Sequence, residues 1–133
     1  MAYKVFISST SKDFDLARDL AQRLDKTDAK VSLSAADAAS NEEPLITGVG
    51  RALREADEVI LILTNNSVNN SGVLFEMGAA FSMRKRVTPV VVGVEPDELP
   101  PVIKQMPYIK YGDLQNYLAD LEKHASLSEA QPA

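Results

Sequence analysis

A single glutamate stands out among the residues of this sequence that could do chemistry. Glu76 lies in SGVLFEMGAAF, a segment of helical character, and the residues three and four positions away from it are all small or apolar. None of them can form an ion pair with the carboxylate. Burying a carboxylate without a partner is costly. We therefore expect either that backbone donors of a nearby loop bond to Glu76, or that Glu76 faces a cleft and acts on a ligand.

A run of hydroxyl side chains from Ser8 to Ser11 is the second candidate. It follows the apolar run YKVFI and precedes a helix-like segment. At the end of a first strand, these residues would open a helix whose free N–H groups and positive dipole end favour anions. Ser11 is also a suitable N-cap, with Asp13 and Asp15 suited to the first turns. The run predicts either helix capping alone or capping together with contact to a phosphate or a ribose.

Composition excludes several other chemistries. The chain has 133 residues, a formal net charge of −5, no cysteine and one histidine, and it shows no basic stripe. The acidic balance argues against nucleic acid as a partner. Without cysteine there are no disulfides, thiolate metal sites or cysteine nucleophiles. His124 lies on the last predicted helix, so a Ser–His–Asp triad or a histidine metal cluster is not expected, and we predict no metal site.

The sequence gives no indication of a signal peptide or of a membrane-spanning helix. The N-terminus lacks a charged region followed by an apolar one, and no apolar run approaches the roughly 20 residues that a membrane span needs. We therefore expect a cytoplasmic protein without a membrane partner.

Strand-like and helix-like segments alternate along the chain. The predicted strands cover residues 3–8, 30–34, 58–64, 87–94 and 108–111. The predicted helices cover residues 12–26, 45–56, 73–84 and 113–124. The segments 35–44, 65–72 and 95–101 are predicted loops, and residues 126–133 are a predicted disordered tail after a single domain of residues 1–125.

This alternation predicts the fold class. Repeated βα units with right-handed crossovers give a mostly parallel sheet covered by helices on both faces. We predict an α/β, flavodoxin-like, three-layer fold with a five-stranded parallel sheet in the order 2-1-3-4-5. Such folds bind ligands beyond the carboxyl ends of the strands, at the switch point beside strand 1. The loops to inspect are then residues 8–13, 35–44 and 64–72.

Several motifs in this order resemble those of the Toll/interleukin-1 receptor (TIR) domain, particularly the prokaryotic kind. KVFISSTSKD is similar to the first-strand box of the family, and LPPVIKQMPYIKY to its last loop and strand. ITGVGRALREADEVILILTNNSVNNSGVLFEMGAAF is similar to the second half of its core. There Ser71, Val73 and Glu76 match a Ser-Trp-Val-x-x-Glu helix start, with Gly72 where the family commonly has Trp. The resemblance covers roughly residues 3–122.

The resemblance implies a site and a reaction. Many TIR domains cleave NAD at the nicotinamide–ribose bond, using a glutamate at the position of Glu76. In that case Glu76 is catalytic, NAD is the substrate, and no cofactor is needed. The residues lining the pyrophosphate or ribose would be Ser8, Ser9, Thr10 and Ser11. Phe6 is a candidate for stacking on nicotinamide, although a strand residue of this kind more often packs in the core.

The resemblance also implies partners. Loop 35–44 corresponds to a family loop that contacts neighbouring TIR domains, so self-association into a homo-oligomer or filament is expected. A role in immune signalling, in bacteria most often against phage, is implied in the same way. Because a domain this small shows no sensor of its own, we also expect activation by a partner protein or a nucleotide signal. Two alternatives stay open: a non-catalytic TIR–TIR interaction module in which Glu76 is structural, and an enzyme similar to nucleoside deoxyribosyltransferases.

Overall fold

One parallel sheet with helices around it forms the protein, for which the computed structural model describes residues 3–27, 29–35 and 48–130. Within these ranges the strands are β1 Lys4–Ser9, β2 Lys30–Ala35, β3 Glu58–Leu63, β4 Arg86–Val91 and β5 Ile109–Lys110. The α-helices are α1 Phe14–Leu24, α2 Gly48–Glu55, α3 Ser71–Ser82, α4 Pro101–Lys104 and α5 Leu114–Ala130. Short 3₁₀ turns lie at Ser11–Asp13, Pro96–Glu98 and Tyr111–Asp113.

The strands neighbour one another in the order β2-β1-β3-β4-β5, and every pair is parallel. This confirms the predicted flavodoxin-like α/β fold and its strand order. The chain changes direction across the sheet at β1, which lies between β2 and β3. Ser8 of β1 pairs in register with Leu61 of β3. The carboxyl ends of β1 and β3 therefore lie at the same edge, which is the switch point where such folds bind ligands.

Helices cover both faces of the sheet, and this explains why its central strands are so apolar. All six residues of β3 are buried. One core cluster joins the sheet to α1 and α5, and the other joins it to α2, α3 and α4. In β1, Val5 and Ile7 belong to the first cluster and Phe6 to the second. Because side chains alternate along a strand, Ser8 points to the face that α3 covers.

The predicted loop 95–101 contains helical structure that the sequence did not indicate. A 3₁₀ turn spans Pro96–Glu98, and α4 begins at Pro101. Both begin at a proline, whose fixed φ and missing N–H suit the first helical position. The same prolines that suggested a loop therefore start these short helices.

Two helix ends differ from prediction. The 3₁₀ turn Ser11–Asp13 precedes α1 and Asp13 occupies the N-cap of that helix, so the prediction of Ser11 as N-cap is wrong. At the other end of the chain, α5 continues to Ala130, beyond the predicted end at 124. No glycine or proline interrupts residues 114–130, so nothing in that run stops the helix. The predicted tail is thus helical from 126 to 130, and residues 131–133 lie outside the described residues.

The predicted loop 35–44 and the start of the predicted helix 45–56 lie largely outside the described residues, which resume at Gly48. Among the helices that are described, none is long and apolar enough to cross a membrane.

Candidate functional site

Glu76 lies in the middle of α3, on a side of the helix that is buried. The helix begins at Ser71, where the Asn70 side chain accepts a hydrogen bond from the Val73 N–H at 3.0 Å as an N-cap. Only 4% of Glu76 is exposed, and its Oε2 has no hydrogen-bond partner among the described residues. Burial disfavours the charged form and raises the pKa of Glu76 from its ordinary 4.5 to about 7. The carboxyl group therefore titrates near neutral pH.

Ser8, near the carboxyl end of β1, faces the same region. Ser8 is fully buried, and its Oγ has no hydrogen-bond partner in the described part of the chain. The hydroxyl still lies near enough to lower the pKa of Glu76, against the larger effect of burial, although the two groups do not meet in hydrogen-bond geometry. Buried polar atoms are nearly always hydrogen-bonded in folded proteins. Two unpartnered polar groups close together therefore mark a place where a polar ligand could bind.

The other predicted site residues take different positions. Ser9 and Thr10 are buried, whereas Ser11 is exposed. The Thr10 hydroxyl donates to the Asp13 carboxylate at 3.0 Å. Phe6 is 1% exposed and packs in the core cluster beneath α3, which fits the core alternative that the sequence left open for it. Of this set, Ser8 is the residue that the fold brings beside Glu76.

Asp13 is a buried polar residue at this edge that the sequence analysis treated only as part of a helix start. It is 5% exposed, and its carboxylate accepts three side-chain hydrogen bonds. Two of the donors, Thr64 and Asn66, follow β3 rather than β1. The pairing joins residues more than 50 positions apart, so no local pattern could have indicated it.

Glu58 is the second buried carboxylate that sequence analysis missed, because it opens an apolar strand. It lies at the start of β3 and is fully buried. The Tyr3 hydroxyl donates to its Oε1 at 2.7 Å, and the hydroxyls of Thr88 and Tyr117 donate to its Oε2, the former at 2.7 Å. Burial, followed by the nearby Glu58 charge, raises the pKa of both tyrosines above the ordinary range. This carboxylate is fully bonded within the chain, so its role is structural.

A cavity of about 680 Å³ lies near Glu58 and away from Glu76, between the start of β4, the residues around β5 and the first turns of α5. Thr88 and Tyr117 form part of its lining, but their hydroxyls are directed to Glu58. Among the described residues, no group of three or more His, Cys, Asp or Glu side chains is arranged to hold a metal ion. The strongest candidate site is thus the Ser8–Glu76 region at the switch point.

This architecture, a parallel sheet of order 2-1-3-4-5 with helices on both faces, is that of a flavodoxin-like α/β domain. Residues 5–125 match the family model of the TIR domain. The chain therefore belongs to the TIR-domain family, as the sequence motifs suggested. No match was found among curated proteins.

Two solved structures with the same fold belong to receptors. The TIR domain of the Toll-related receptor TRR-2 from Hydra magnipapillata superposes with a TM-score of 0.70 at 15% identity, covering 93% of this chain and 98% of that one. A TIR-STING receptor from C. gigas, in complex with 2′,3′-cGAMP, gives 0.68 at 24% identity, covering 92% of this chain and 39% of that one.

A third similar structure is part of an assembly. The TIR domains of the activated Roq1 resistosome, which recognises the pathogen effector XopQ, superpose with a TM-score of 0.55 at 16% identity. The match covers 94% of this chain and 84% of that one. At these identities the likeness establishes the fold, and it leaves the activity of this chain to be argued from its own residues.

Proposed function

We propose that this TIR domain cleaves NAD at the nicotinamide–ribose bond, with Glu76 as its catalytic carboxylate. The observation that carries the proposal is the buried Glu76 at the switch point, whose Oε2 has no partner among the described residues. A structural carboxylate in this position would be expected to accept hydrogen bonds from its surroundings.

The reaction breaks the bond between C1′ of the ribose and N1 of nicotinamide. The bonding electrons go to N1, which neutralises the positive charge of the ring, and C1′ becomes an oxocarbenium-like centre. A carboxylate beside C1′ stabilises that charge, and it does so more strongly in a buried site than in water. Water then attacks C1′ and loses a proton to give ADP-ribose, or a nucleophile of the same molecule attacks and closes a ring.

The titration of Glu76 suits a cationic substrate. A carboxyl group whose pKa is about 7 is partly neutral before NAD binds. The positive nicotinamide ring would favour the ionised form when it arrives, because an opposite charge nearby lowers a carboxyl pKa. The positive ring therefore increases the ionised fraction of Glu76 before C1′ becomes positive.

In this proposal the hydroxyl residues at the end of β1 bind the ribose and the pyrophosphate of the substrate. Ser8 has a buried hydroxyl near Glu76 that is available to a ribose hydroxyl. Ser9, Thr10 and Ser11 lie at the same end of β1 and would line the pyrophosphate or the ribose. Phe6, buried beneath them, supports the strand end rather than an exposed stacking surface.

A second candidate function is TIR–TIR interaction without catalysis, and the outer face of α3 favours it. Phe75 is 63% exposed and Phe81 is 42% exposed. The only charged residue of α3 is Glu76, which is buried. Exposed apolar faces of this kind mark interaction surfaces. From the family resemblance we expect loop 35–44 to contact a neighbouring domain, so it would take part in the same assembly. An activating partner in immune signalling would also take part in it.

The test is nicotinamide release from NAD, measured by chromatography with wild type, Glu76→Gln and the exposed control Glu122→Gln. Each protein is assayed dilute and at high concentration with a crowding agent, because the site could need a neighbouring domain. Wild type and Glu122→Gln are expected to release nicotinamide. Glu76→Gln should lose about 10²- to 10³-fold or more of the rate.

Each other outcome assigns the function differently. Release that survives Glu76→Gln contradicts the proposed role of this carboxylate. If wild type releases no nicotinamide in any condition and filaments are seen by microscopy, the interaction module is supported. Exchange of bases between nucleosides without NAD cleavage supports an enzyme of the deoxyribosyltransferase kind.

A further inference from the structure

Asp13 connects the two loops that frame the proposed site. Its Oδ2 accepts hydrogen bonds from Thr10 Oγ1 at 3.0 Å and from Thr64 Oγ1 at 2.6 Å, and its Oδ1 accepts one from Asn66 Nδ2 at 3.0 Å. Thr10 follows β1, whereas Thr64 and Asn66 follow β3. We call these four residues the Asp13 bridge. It crosses the gap between neighbouring strands at the switch point.

The bridge is not explained by helix capping. Asp13 occupies the N-cap of α1, but its side chain makes no capping hydrogen bond to that helix. An N-cap carboxylate ordinarily accepts from an N–H in the first turn. Here the side chain instead bonds to hydroxyl and amide donors, two of them from across the switch point.

The bridge reaches the start of α3 through a chain of hydrogen bonds. Thr64 Oγ1 also accepts from the Asn66 N–H at 3.0 Å, and the Thr64 N–H donates to Ser67 Oγ at 2.8 Å. The Ser67 carbonyl accepts from the N–H of Asn70, which is the residue that caps α3. The loop between β3 and α3 is therefore tied together from the Asp13 carboxylate to the first turn of the helix that carries Glu76.

We propose that Asp13 is a positioning residue for NAD cleavage, because its carboxylate fixes the spacing between the β1 end with Ser8 and the α3 start leading to Glu76. It does so without touching the substrate. The inference rests on the proposed function for its kinetic consequence. A misplacement of about 1 Å in a reacting geometry can cost about 10²-fold in rate, so a loosened bridge lowers turnover.

The chemistry of the bridge requires an acceptor on both sides of residue 13. A carboxylate only accepts hydrogen bonds, whereas an asparagine presents an oxygen on one side and a donating NH₂ on the other. Asp13→Asn can keep its oxygen towards the hydroxyls of Thr10 and Thr64, but its NH₂ then faces the NH₂ of Asn66. The double variant Asp13→Asn/Asn66→Asp restores a donor opposite an acceptor and keeps the net charge of wild type.

The experiment compares kcat and KM for NAD in wild type, Asp13→Asn, the swapped double variant and Thr64→Val, with Asp15→Asn as control. Asp15 is an exposed aspartate two positions further along, and its carboxylate pairs with Arg18 at the surface. Asp13→Asn is expected to lower kcat about 10- to 100-fold with a smaller change in KM. The swapped variant should recover most of that loss, and Asp15→Asn should match wild type.

Thr64→Val tests the inference if Asp13→Asn does not fold. It keeps the shape of the side chain but removes both the donor to Asp13 and the acceptor for the Asn66 N–H. It is expected to lower kcat by a smaller factor. Equal kcat in wild type, Asp13→Asn and Thr64→Val would overturn the inference, as would a loss that the swap restores in thermal stability but not in kcat.

Failure of the inference can be told from failure of the proposed function. An inactive wild type overturns NAD cleavage and with it the kinetic role of Asp13. Backbone amide NMR shifts of Ser8, Ser9 and Glu76 then still decide the positioning claim. They should change in Asp13→Asn and return in the swapped variant, and unchanged shifts would overturn it.

Discussion

Two buried glutamates lie at opposite ends of the sheet and on opposite faces of it, and they differ in the partners that surround them. Glu58 is fully buried at the amino end of β3, where three hydroxyls donate to it and Arg86 Nε lies 3.7 Å from its Oε1. Glu76 is 4% exposed beside the carboxyl end of β1, and its Oε2 has no partner among the described residues. Burial alone therefore does not distinguish the carboxylate that we propose as catalytic. The unpartnered Oε2 of Glu76 does.

The two glutamates should also contribute differently to the folding stability of the protein. Hydroxyl donors offset the cost of burying the Glu58 carboxylate, whereas the unpartnered Oε2 of Glu76 costs stability whenever that group ionises. Proteins retain such costly groups mainly at functional sites. The same substitution, Glu to Gln, should accordingly have opposite effects on folding stability at the two positions.

Glu58→Gln should give the largest stability effect. The amide keeps one acceptor oxygen but loses the charge, and its NH₂ replaces an oxygen to which a hydroxyl donates in wild type. Two donors then face each other, so we expect the free energy of unfolding to fall by about 3 kcal/mol. Urea denaturation at pH 8 measures it. A loss below about 0.5 kcal/mol would mean that the hydroxyl cluster does not depend on the carboxylate, and it would break the contrast.

Glu76→Gln should stabilise the protein at pH 8. Burial raises the pKa of Glu76 from 4.5 to about 7. The folding stability that the protonated side chain contributes is therefore fully present below pH 4.5 and is lost as the pH rises through about 7. The neutral amide of glutamine does not ionise, so the variant does not lose this stability. The variant should therefore exceed wild type by a difference that is small near pH 4.5 and reaches at most about 3 kcal/mol above pH 7.

Denaturation of wild type and Glu76→Gln across this pH range measures the difference. A variant less stable than wild type at pH 8 would show that the carboxylate has partners in the folded chain, and Glu76 would then resemble Glu58.

Removing one hydroxyl beside each glutamate should give the smallest pair of effects. Thr88→Val deletes a donor to Glu58 and should cost about 2 kcal/mol. Ser8→Ala deletes an unpartnered buried hydroxyl, so stability should stay within about 0.5 kcal/mol of wild type or rise. Ser8→Ala should also raise the pKa of Glu76 further, because the Ser8 hydroxyl lowers it. Equal costs for the two substitutions would indicate that Ser8 is bonded in solution.

Much of the fold was predictable because periodicity and composition are local. The apolar run of β3 and the alternation of strands with helices indicate a parallel sheet. For five strands its default order is 2-1-3-4-5, which the structure confirms. Helix ends were less predictable. The prolines at 96 and 101 suit a loop and a first helical turn equally, and the distinction depends on packing that the sequence does not display.

The site was predictable only in part. Glu76 was identified because its helical neighbours lack polar groups, a local property. Asp13 and Glu58 were missed because their partners are distant in sequence, up to 53 residues for Asp13 and 59 for Glu58. Hydrogen bonds across the sheet are set by strand register, and register follows from the assembled fold rather than from any short segment.

Nicotinamide release from NAD by wild type, Glu76→Gln and Glu58→Gln, at high protein concentration and normalised to folded protein, tests the central claim most directly. We expect release by wild type and by folded Glu58→Gln, and a loss of about 10²- to 10³-fold or more in Glu76→Gln despite its higher stability. Equal release by all three proteins would contradict it, since the unpartnered carboxylate would then have no part in the chemistry.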